Sequence, residues 1–299
     1  MINPEYISSS HLESDSDLTI IDTRLGDDYD SGHLPGAVSN CVFEMAFIDR
    51  ISEQAPDKTT MIVLYGSEDR SYEAPVAYEK LKRAGYENVK VLAGGFQDWM
   101  AAGLPVERES SENTSSSEVE DGQFPIDLDE SRIEWTGRNL LKRHWGTLKL
   151  TSGNITVAGG KPVSGEFIID MNSIQCLDLE GNDSHDVLIQ HLKSDDFFDV
   201  GSYPECRVSI ISSELIQNAS QGSPNLNLDL NIRLKDVRSM ISVKSTAGIT
   251  PEGKLAAQAS FSFDRTMWEV IYGSGRFFSN LGMHLVNDLI DIDLKIVTK

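Results

Sequence analysis

The chain has 299 residues, with 26 lysines and arginines against 47 aspartates and glutamates, and a formal net charge of −21 at pH 7. This length predicts about two domains, each large enough to bury a hydrophobic core. The acidic balance argues against nucleic acid and anionic lipid surfaces as partners, because like charges repel.

The N-terminal segment 1–17 lacks the basic stretch and the apolar core of a signal peptide. No apolar run reaches the ~20 residues needed to span a bilayer. The three cysteines, Cys41, Cys176 and Cys206, are odd in number and show no metal-ligand spacing. We therefore predict a cytoplasmic protein with reduced thiols, no metal site and no cofactor.

Residues 1–106 alternate apolar strand patterns with helical patterns. We expect strands at 18–24, 59–65 and 88–95 and helices at 72–85 and 96–103. Strands separated by helices indicate an α/β domain, in which a parallel sheet is flanked by helices.

Residues 107–123 are rich in serine and glutamate and contain few apolar side chains. This composition is typical of a flexible, solvated linker. The sequence therefore predicts a domain at 1–106, an acidic flexible linker at 107–123 and a second domain at 124–299.

In residues 124–299 the apolar pattern changes to a period of two. The stretch 226–236 places five aliphatic side chains on one face and polar side chains on the other. Similar alternation at 255–265 and 289–299 predicts an all-β antiparallel barrel or sandwich. An amphipathic helix is expected as an insertion at 183–199, with Val187, Leu188, Leu192 and Phe197 as its apolar stripe.

Two groups of residues give the first domain a resemblance to the rhodanese-like family. One group is Asp22-Thr23-Arg24, Tyr29 and 32–37 (GHLPGA); the other is 85–86, Val89, 92–95 (LAGG), Trp99, Gly103 and Pro105. The resemblance implies a sulfurtransferase fold, in which a cysteine five residues before an arginine carries a persulfide.

The corresponding loop lacks that cysteine. Counting back five residues from Arg70 reaches Tyr65, and a shift of one residue reaches Gly66; neither can form a persulfide. Acidic neighbours would also repel thiosulfate-like anions, and the full degenerate loop is Tyr65, Gly66, Ser67, Glu68, Asp69 and Arg70. We predict an inactive docking or regulatory module, with His33 as a structural residue. The alternative is a sulfurtransferase that uses a relocated thiol, Cys41.

The second domain resembles the YceI-like family, which has small barrels of lipocalin-like shape that bind polyisoprenoids and related long-chain amphiphiles. The resemblance is carried by 126–141, 165–174, 188–205 and 261–275. The sequence departs from the family at 233–243, where charged residues replace an expected glycine-threonine turn. The resemblance implies a ligand such as an isoprenoid, a quinone or an acyl chain.

We name candidate ligand contacts from the strand patterns. The inward face is expected to comprise Phe167, Ile169, Val208, Ile210, Leu228, Leu230, Ile232, Phe261, Phe263, Ile292 and Leu294. The mouth is expected to comprise Trp135, Trp145, Phe197, Phe198 and Trp268. Each of these side chains fits ordinary core packing equally well, so an interaction protein with a filled barrel remains an alternative.

Two polar groups in this domain leave further possibilities. Asp264 and Arg265 either orient a polar head group or pair with each other. His185 and His191 lie six residues apart, which lacks the i, i+4 spacing of a helical zinc site. We interpret Asp195, Asp196 and Asp199 beside them as a solvated helix end.

Overall fold

The computed structural model describes residues 3–12, 18–108, 120–220 and 222–299. Contacts divide the chain into two compact units, Met1–Ser116 and Ser117–Lys299. Of the predicted linker, 109–119 lies outside the described residues. Glu107 forms a β-bridge with His33, and residues 122–123 belong to a strand. The exact domain boundaries stay predictions.

The first unit is an α/β fold with a five-stranded parallel sheet, as the sequence predicts. The strand order is β1-β5-β4-β2-β3. The strands are β1 Tyr6–Ile7, β2 Leu18–Asp22, β3 Val38–Ser39, β4 Met61–Tyr65 and β5 Val89–Leu92. The helices are α1 Ser9–Leu12, α2 Gly26–Ser31, α3 Phe47–Gln54, α4 Glu73–Arg83 and α5 Gly95–Ala101.

Strand β4 is buried on both of its faces. Ile62 and Leu64 pack into a core with α3 and α4, whereas Val63 and Tyr65 pack into a second core with α5. This double burial is typical of a parallel sheet covered by helices, and it explains the uninterrupted apolar run of β4.

The second unit is a closed antiparallel barrel of eight strands, β7 to β14 in the order β8-β7-β14-β13-β12-β11-β10-β9, with β9 pairing back to β8. A short extra strand, β6, pairs with the end of β8. The bounds are β6 Gly122–Pro125, β7 Arg132–Arg138, β8 Arg143–Ala158, β9 Lys161–Cys176, β10 Glu205–Leu215, β11 Leu226–Leu234, β12 Val237–Ile249, β13 Leu255–Asp264 and β14 Leu289–Val297.

Two insertions interrupt the barrel strands. Helix α6, Ser184–Lys193, lies between β9 and β10, and the segment 265–288 lies between β13 and β14 with two short 3-10 turns. Side chains from both insertions pack at the same end of the barrel, where Leu192, Phe197 and Trp268 share one hydrophobic cluster. Among the described helices, none has the length and apolar character that crossing a membrane requires.

The predicted insertion helix is too long. Helix α6 ends at Lys193, where Ser194 leaves the helical conformation with a φ of −70° and a ψ of 173°, and the Ser194 hydroxyl donates to the His191 carbonyl oxygen at 2.8 Å. Phe197 and Phe198 therefore follow the helix in a turn. Val187 is exposed, so its assignment to the apolar stripe is wrong.

The hairpin between β11 and β12 forms despite its charged sequence. Leu234 pairs with Val237 across a two-residue turn, in which Lys235 takes a φ of 54°. The Arg233 guanidinium donates to the Asp236 carboxylate at 2.8 Å. An ion pair and one left-handed residue thus stand where the resemblance implies a glycine-threonine turn.

Candidate functional site

The barrel interior contains two adjoining cavities of about 270 Å³ and about 480 Å³. The two cavities share part of their walls, since five side chains line both: Ile133, Ile169, Val208, Leu230 and Leu294. The smaller cavity lies at the end that α6 and the segment 265–288 cover, and the larger lies at the other end. Together they form an elongated, predominantly apolar space.

The cavity walls include the residues that the strand pattern places on the inward face. All eleven residues of the predicted inward face line one cavity or the other. Of the predicted mouth residues, Trp135, Phe197 and Phe198 line the smaller cavity. The structure therefore brings fourteen of the sixteen candidates together around one interior.

Two predicted mouth residues are not among the described residues that line the cavities. Trp268 is fully buried, packs edge-on against Phe263, and donates its indole N–H to the Ile232 carbonyl at 2.9 Å. Trp145 follows a residue that does line the smaller cavity, His144, so strand alternation turns its side chain away. The assignment of Trp145 and Trp268 to the mouth is corrected on these grounds.

Strands β8 and β9 supply lining residues that sequence reasoning missed. A register shift between Leu150 and Ser152 changes the phase of the period-two pattern of β8. Leu148 and Leu150 alternate with polar residues, but Ile155 and Val157 line the interior in the opposite phase, so no single alternation covers the whole strand. The missed wall residues of these strands are His144, Leu148, Met171 and Ile174 in the smaller cavity and Leu150, Ile155, Val157 and Pro162 in the larger.

Arg265 is a buried cation in the wall of the smaller cavity. Its guanidinium donates to the carbonyl oxygens of Asn287, Val270 and Val286 at 3.0, 2.5 and 3.1 Å. Burial lowers the pKa of Arg265, against the opposing effect of nearby carboxylates. The side chain thus clamps the backbone of the insertion. Asp264 forms its ion pair with Arg276 at 2.8 Å, so the possible Asp264–Arg265 pair is not formed.

The degenerate loop of the first unit has a different geometry. Tyr65 is buried, and its hydroxyl donates to Asp22 at 2.6 Å and accepts the Leu34 N–H at 3.2 Å. Arg24 donates to the same aspartate. Burial raises the pKa of Tyr65, and the Asp22 carboxylate reinforces the shift. Tyr65 is therefore a hydrogen-bonded core residue with its side chain directed away from the loop.

Gly66 occupies the position that faces the inside of the loop. A Cβ atom added there would lie 2.9 Å from Ser71 Oγ and 3.0 Å from Glu73 Oε2. The Glu73 carboxylate accepts a hydrogen bond from Ser67 through Oε1, while its Oε2 is buried without a hydrogen-bond partner. The cavity beside the loop measures only about 10 Å³.

Cys41 and His33 lie in well-packed surroundings. Cys41 is buried and is not among the described residues around the loop cavity. The His33 ring stacks on Tyr29 at a centroid distance of 3.8 Å, and its Nδ1 lies 2.9 Å from the Tyr29 carbonyl oxygen. Both observations favour structural roles.

Comparisons with known proteins match each unit to a family. The model of the YceI-like domain matches residues 124–298, and the model of the rhodanese-like domain matches residues 9–102. The HTH-type transcriptional regulator Rv0324 of Mycobacterium tuberculosis is 37% identical over 91 residues, which is 30% of this chain. The match spans 38% of the regulator's length.

Solved structures give similarities to both units. BcnA of Burkholderia cenocepacia has a TM-score of 0.45 and 16% identity, covering 58% of this chain and 99% of its own. A polyisoprenoid binding domain from Saccharophagus degradans has a TM-score of 0.43 and 14% identity, covering 60% and 99%. The Alr3790 protein from Anabaena sp. has a TM-score of 0.31 and 33% identity, covering 34% and 88%.

Proposed function

The chain belongs to the YceI-like domain family, and on this premise we propose that its barrel binds one long-chain amphiphile, such as an isoprenoid, a quinone or an acyl chain. The observation that carries the proposal is the pair of adjoining cavities of about 270 Å³ and about 480 Å³. Ligand pockets in proteins commonly measure about 300–1,000 Å³ and are predominantly apolar.

A long apolar chain fits this interior better than a compact polar molecule. Each buried methylene contributes ~0.8 kcal/mol, so ten methylenes contribute ~8 kcal/mol before the costs of ordering are subtracted. Ile169 and Leu230 line both cavities and would contact the chain where it passes from one to the other. These cavities support a carrier over the alternative of a barrel filled by its own side chains.

The rhodanese-like domain serves, in this proposal, as a docking or regulatory module. Support comes from Gly66, which offers no nucleophile, and from the Glu73 carboxylate, which lies where an added Cβ would point. A sulfane-sulfur acceptor needs a thiolate in a loop that attracts anions, and this loop presents acidic side chains instead. The cytoplasmic location and the lack of nucleic-acid binding stay predictions.

A chain-length series tests the carrier proposal. The protein is stripped of lipid and titrated with fatty amides of increasing length by equilibrium dialysis. Affinity should rise by up to about fourfold per added methylene until the cavities are full, because each methylene removed from water contributes ~0.8 kcal/mol. Equal, weak binding at every chain length would contradict the proposal.

A further inference from the structure

Three metal-ligating side chains lie together at one end of the barrel. His144 Nδ1 lies 2.9 Å from Asp178 Oδ2, and Cys176 Sγ lies 3.3 Å from Asp178 Oδ1. One ligand atom from each residue lies within 4.8 Å of the other two. Within the described ranges this is the one group of three such residues, and it includes neither His185 nor His191.

The pairing of β8 and β9 builds this cluster. Gly146 pairs with Cys176, and the Leu177 N–H donates to the Trp145 carbonyl at 2.8 Å. A Cβ atom at Gly146 would lie 1.7 Å from the Gln175 carbonyl oxygen, so this close approach requires glycine. The two strands therefore hold His144 and Cys176 beside each other although 32 positions separate them in the sequence.

A backbone hydrogen bond holds the Asp178 carboxylate in place between His144 and Cys176. Asp178 Oδ1 accepts the Trp145 N–H at 2.8 Å, in addition to the thiol of Cys176. Cys176 has no exposed area, whereas the side chains of His144 and Asp178 are 32% and 20% exposed. An ion can therefore reach the site from solvent through the exposed side of His144 and Asp178, with the Cys176 sulfur as the buried ligand.

The chemistry of the three side chains indicates which class of metal ion they would bind. A thiolate, an imidazole and a carboxylate suit Zn²⁺ and similar first-row divalent ions, whereas Mg²⁺ and Ca²⁺ prefer oxygen ligands alone. One donor atom from each residue lies within 4.8 Å of the other two, so small side-chain movements would bring all three to metal–ligand bond lengths of about 2.0–2.3 Å. A cysteine binds a metal ion as the thiolate, so metal binding would release the thiol proton of Cys176 to solvent.

We propose that His144, Cys176 and Asp178 bind one Zn²⁺-like divalent ion at the rim of the barrel. Three protein ligands leave the fourth position of a tetrahedral ion open, as in catalytic zinc sites. His144 also lines the smaller cavity, so the proposed site adjoins the apolar interior. An oxygen-bearing head group of a bound amphiphile is the class of ligand that would complete it. Metal binding itself does not depend on the carrier function.

Cobalt titration of the full, lipid-free chain under anaerobic conditions tests this site. One equivalent of Co²⁺ should bind and produce sulfur-to-cobalt charge-transfer absorption, with release of one proton. Cys176→Ser should abolish the absorption, whereas Cys41→Ser in the other unit should leave it unchanged. His144→Asn and Asp178→Asn should each lower the affinity for Co²⁺ by roughly 10–100-fold or more. Loss of an outer-shell partner already lowers metal affinity by that factor.

The thermal transition of each variant shows whether it is folded. If Cys176→Ser does not fold, His144→Asn replaces it as the test of the site. Charge-transfer absorption that survives in Cys176→Ser would overturn the assignment. Retention of no zinc after dialysis against Zn²⁺, together with no cobalt–sulfur absorption in the wild-type protein, would also overturn it. Lipid binding that persists while metal binding fails would refute this site alone and leave the carrier proposal standing.

Discussion

The two units differ in the size of the cavity at their candidate sites. In the first unit the loop between β4 and α4 encloses about 10 Å³, and Glu73 fills the space in front of Gly66. In the second unit the barrel encloses two cavities of several hundred Å³ in total. The residues behind the loop remain well packed, as the hydrogen bond from the Tyr65 hydroxyl to Asp22 shows.

The largest expected effect comes from filling the barrel. Leu230→Trp places a large side chain at the junction of the two cavities. Loss of room for three methylenes costs ~2.4 kcal/mol, or about 50-fold in Kd for a long-chain quinone measured by equilibrium dialysis. Met240→Trp, on the exposed face of the neighbouring β12, is the matched control and should bind normally. Equal affinity in both variants would contradict the open-barrel account.

The next effect concerns sulfur transfer in the first unit. We expect no thiosulfate:cyanide turnover from the wild-type chain or from Gly66→Cys. The new side chain would press on Ser71 and Glu73, and overpacking of this kind costs about 1–3 kcal/mol of unfolding free energy. Gly26→Cys, where a Cβ meets nothing within 4 Å, controls for the added thiol. Wild-type turnover that disappears in Cys41→Ala would establish the relocated-thiol enzyme instead.

Removal of one hydroxyl tests the role of Tyr65 in the core behind the loop between β4 and α4. Tyr65→Phe leaves the buried Asp22 carboxylate and the Leu34 N–H without that hydroxyl. Unpaired buried groups cost about 1–3 kcal/mol, so urea denaturation should show a loss of that size. Tyr72→Phe on the exposed side of the loop should change nothing measurable. Indistinguishable midpoints for the two variants would refute the role assigned to Tyr65.

The smallest effect is a pH dependence in the barrel. Burial raises the pKa of Cys206, which lines the smaller cavity, to about 12. The unfolded thiol ionises near pH 8.5, so the folded chain holds this proton more tightly. The corresponding stability is present below about pH 8.5 and is lost as the pH rises toward 12.

Urea midpoints measured from pH 8 to pH 10 should therefore fall, and Cys206→Ala should make the fall shallower. A slope that Cys206→Ala leaves unchanged would show that this thiol is not desolvated in solution.

Sequence reasoning reached the fold and most of the barrel interior because regular strands report their faces directly. The alternation of Leu228, Leu230 and Ile232 identifies the inner wall of β11 without any structure. It missed the wall residues of β8, where the inward face changes phase between Leu150 and Ile155 and no single alternation covers the strand.

Other features depend on long-range packing. The direction of an absent Cβ at Gly66 is set by how α4 and α5 pack against the loop. The cluster of His144, Cys176 and Asp178 arises from strand pairing, which spacing along the chain does not reveal. Trp268 was misplaced because an aromatic residue in a loop fits a core position and a mouth equally well.

The most direct test is organic extraction of the protein purified from its own source, followed by mass spectrometry. The account predicts recovery of a long-chain isoprenoid, quinone or acyl compound in a molar ratio near one to the chain. Recovery of no chain-like molecule, combined with failure of the lipid-free protein to bind added long-chain quinones or fatty amides, would contradict it.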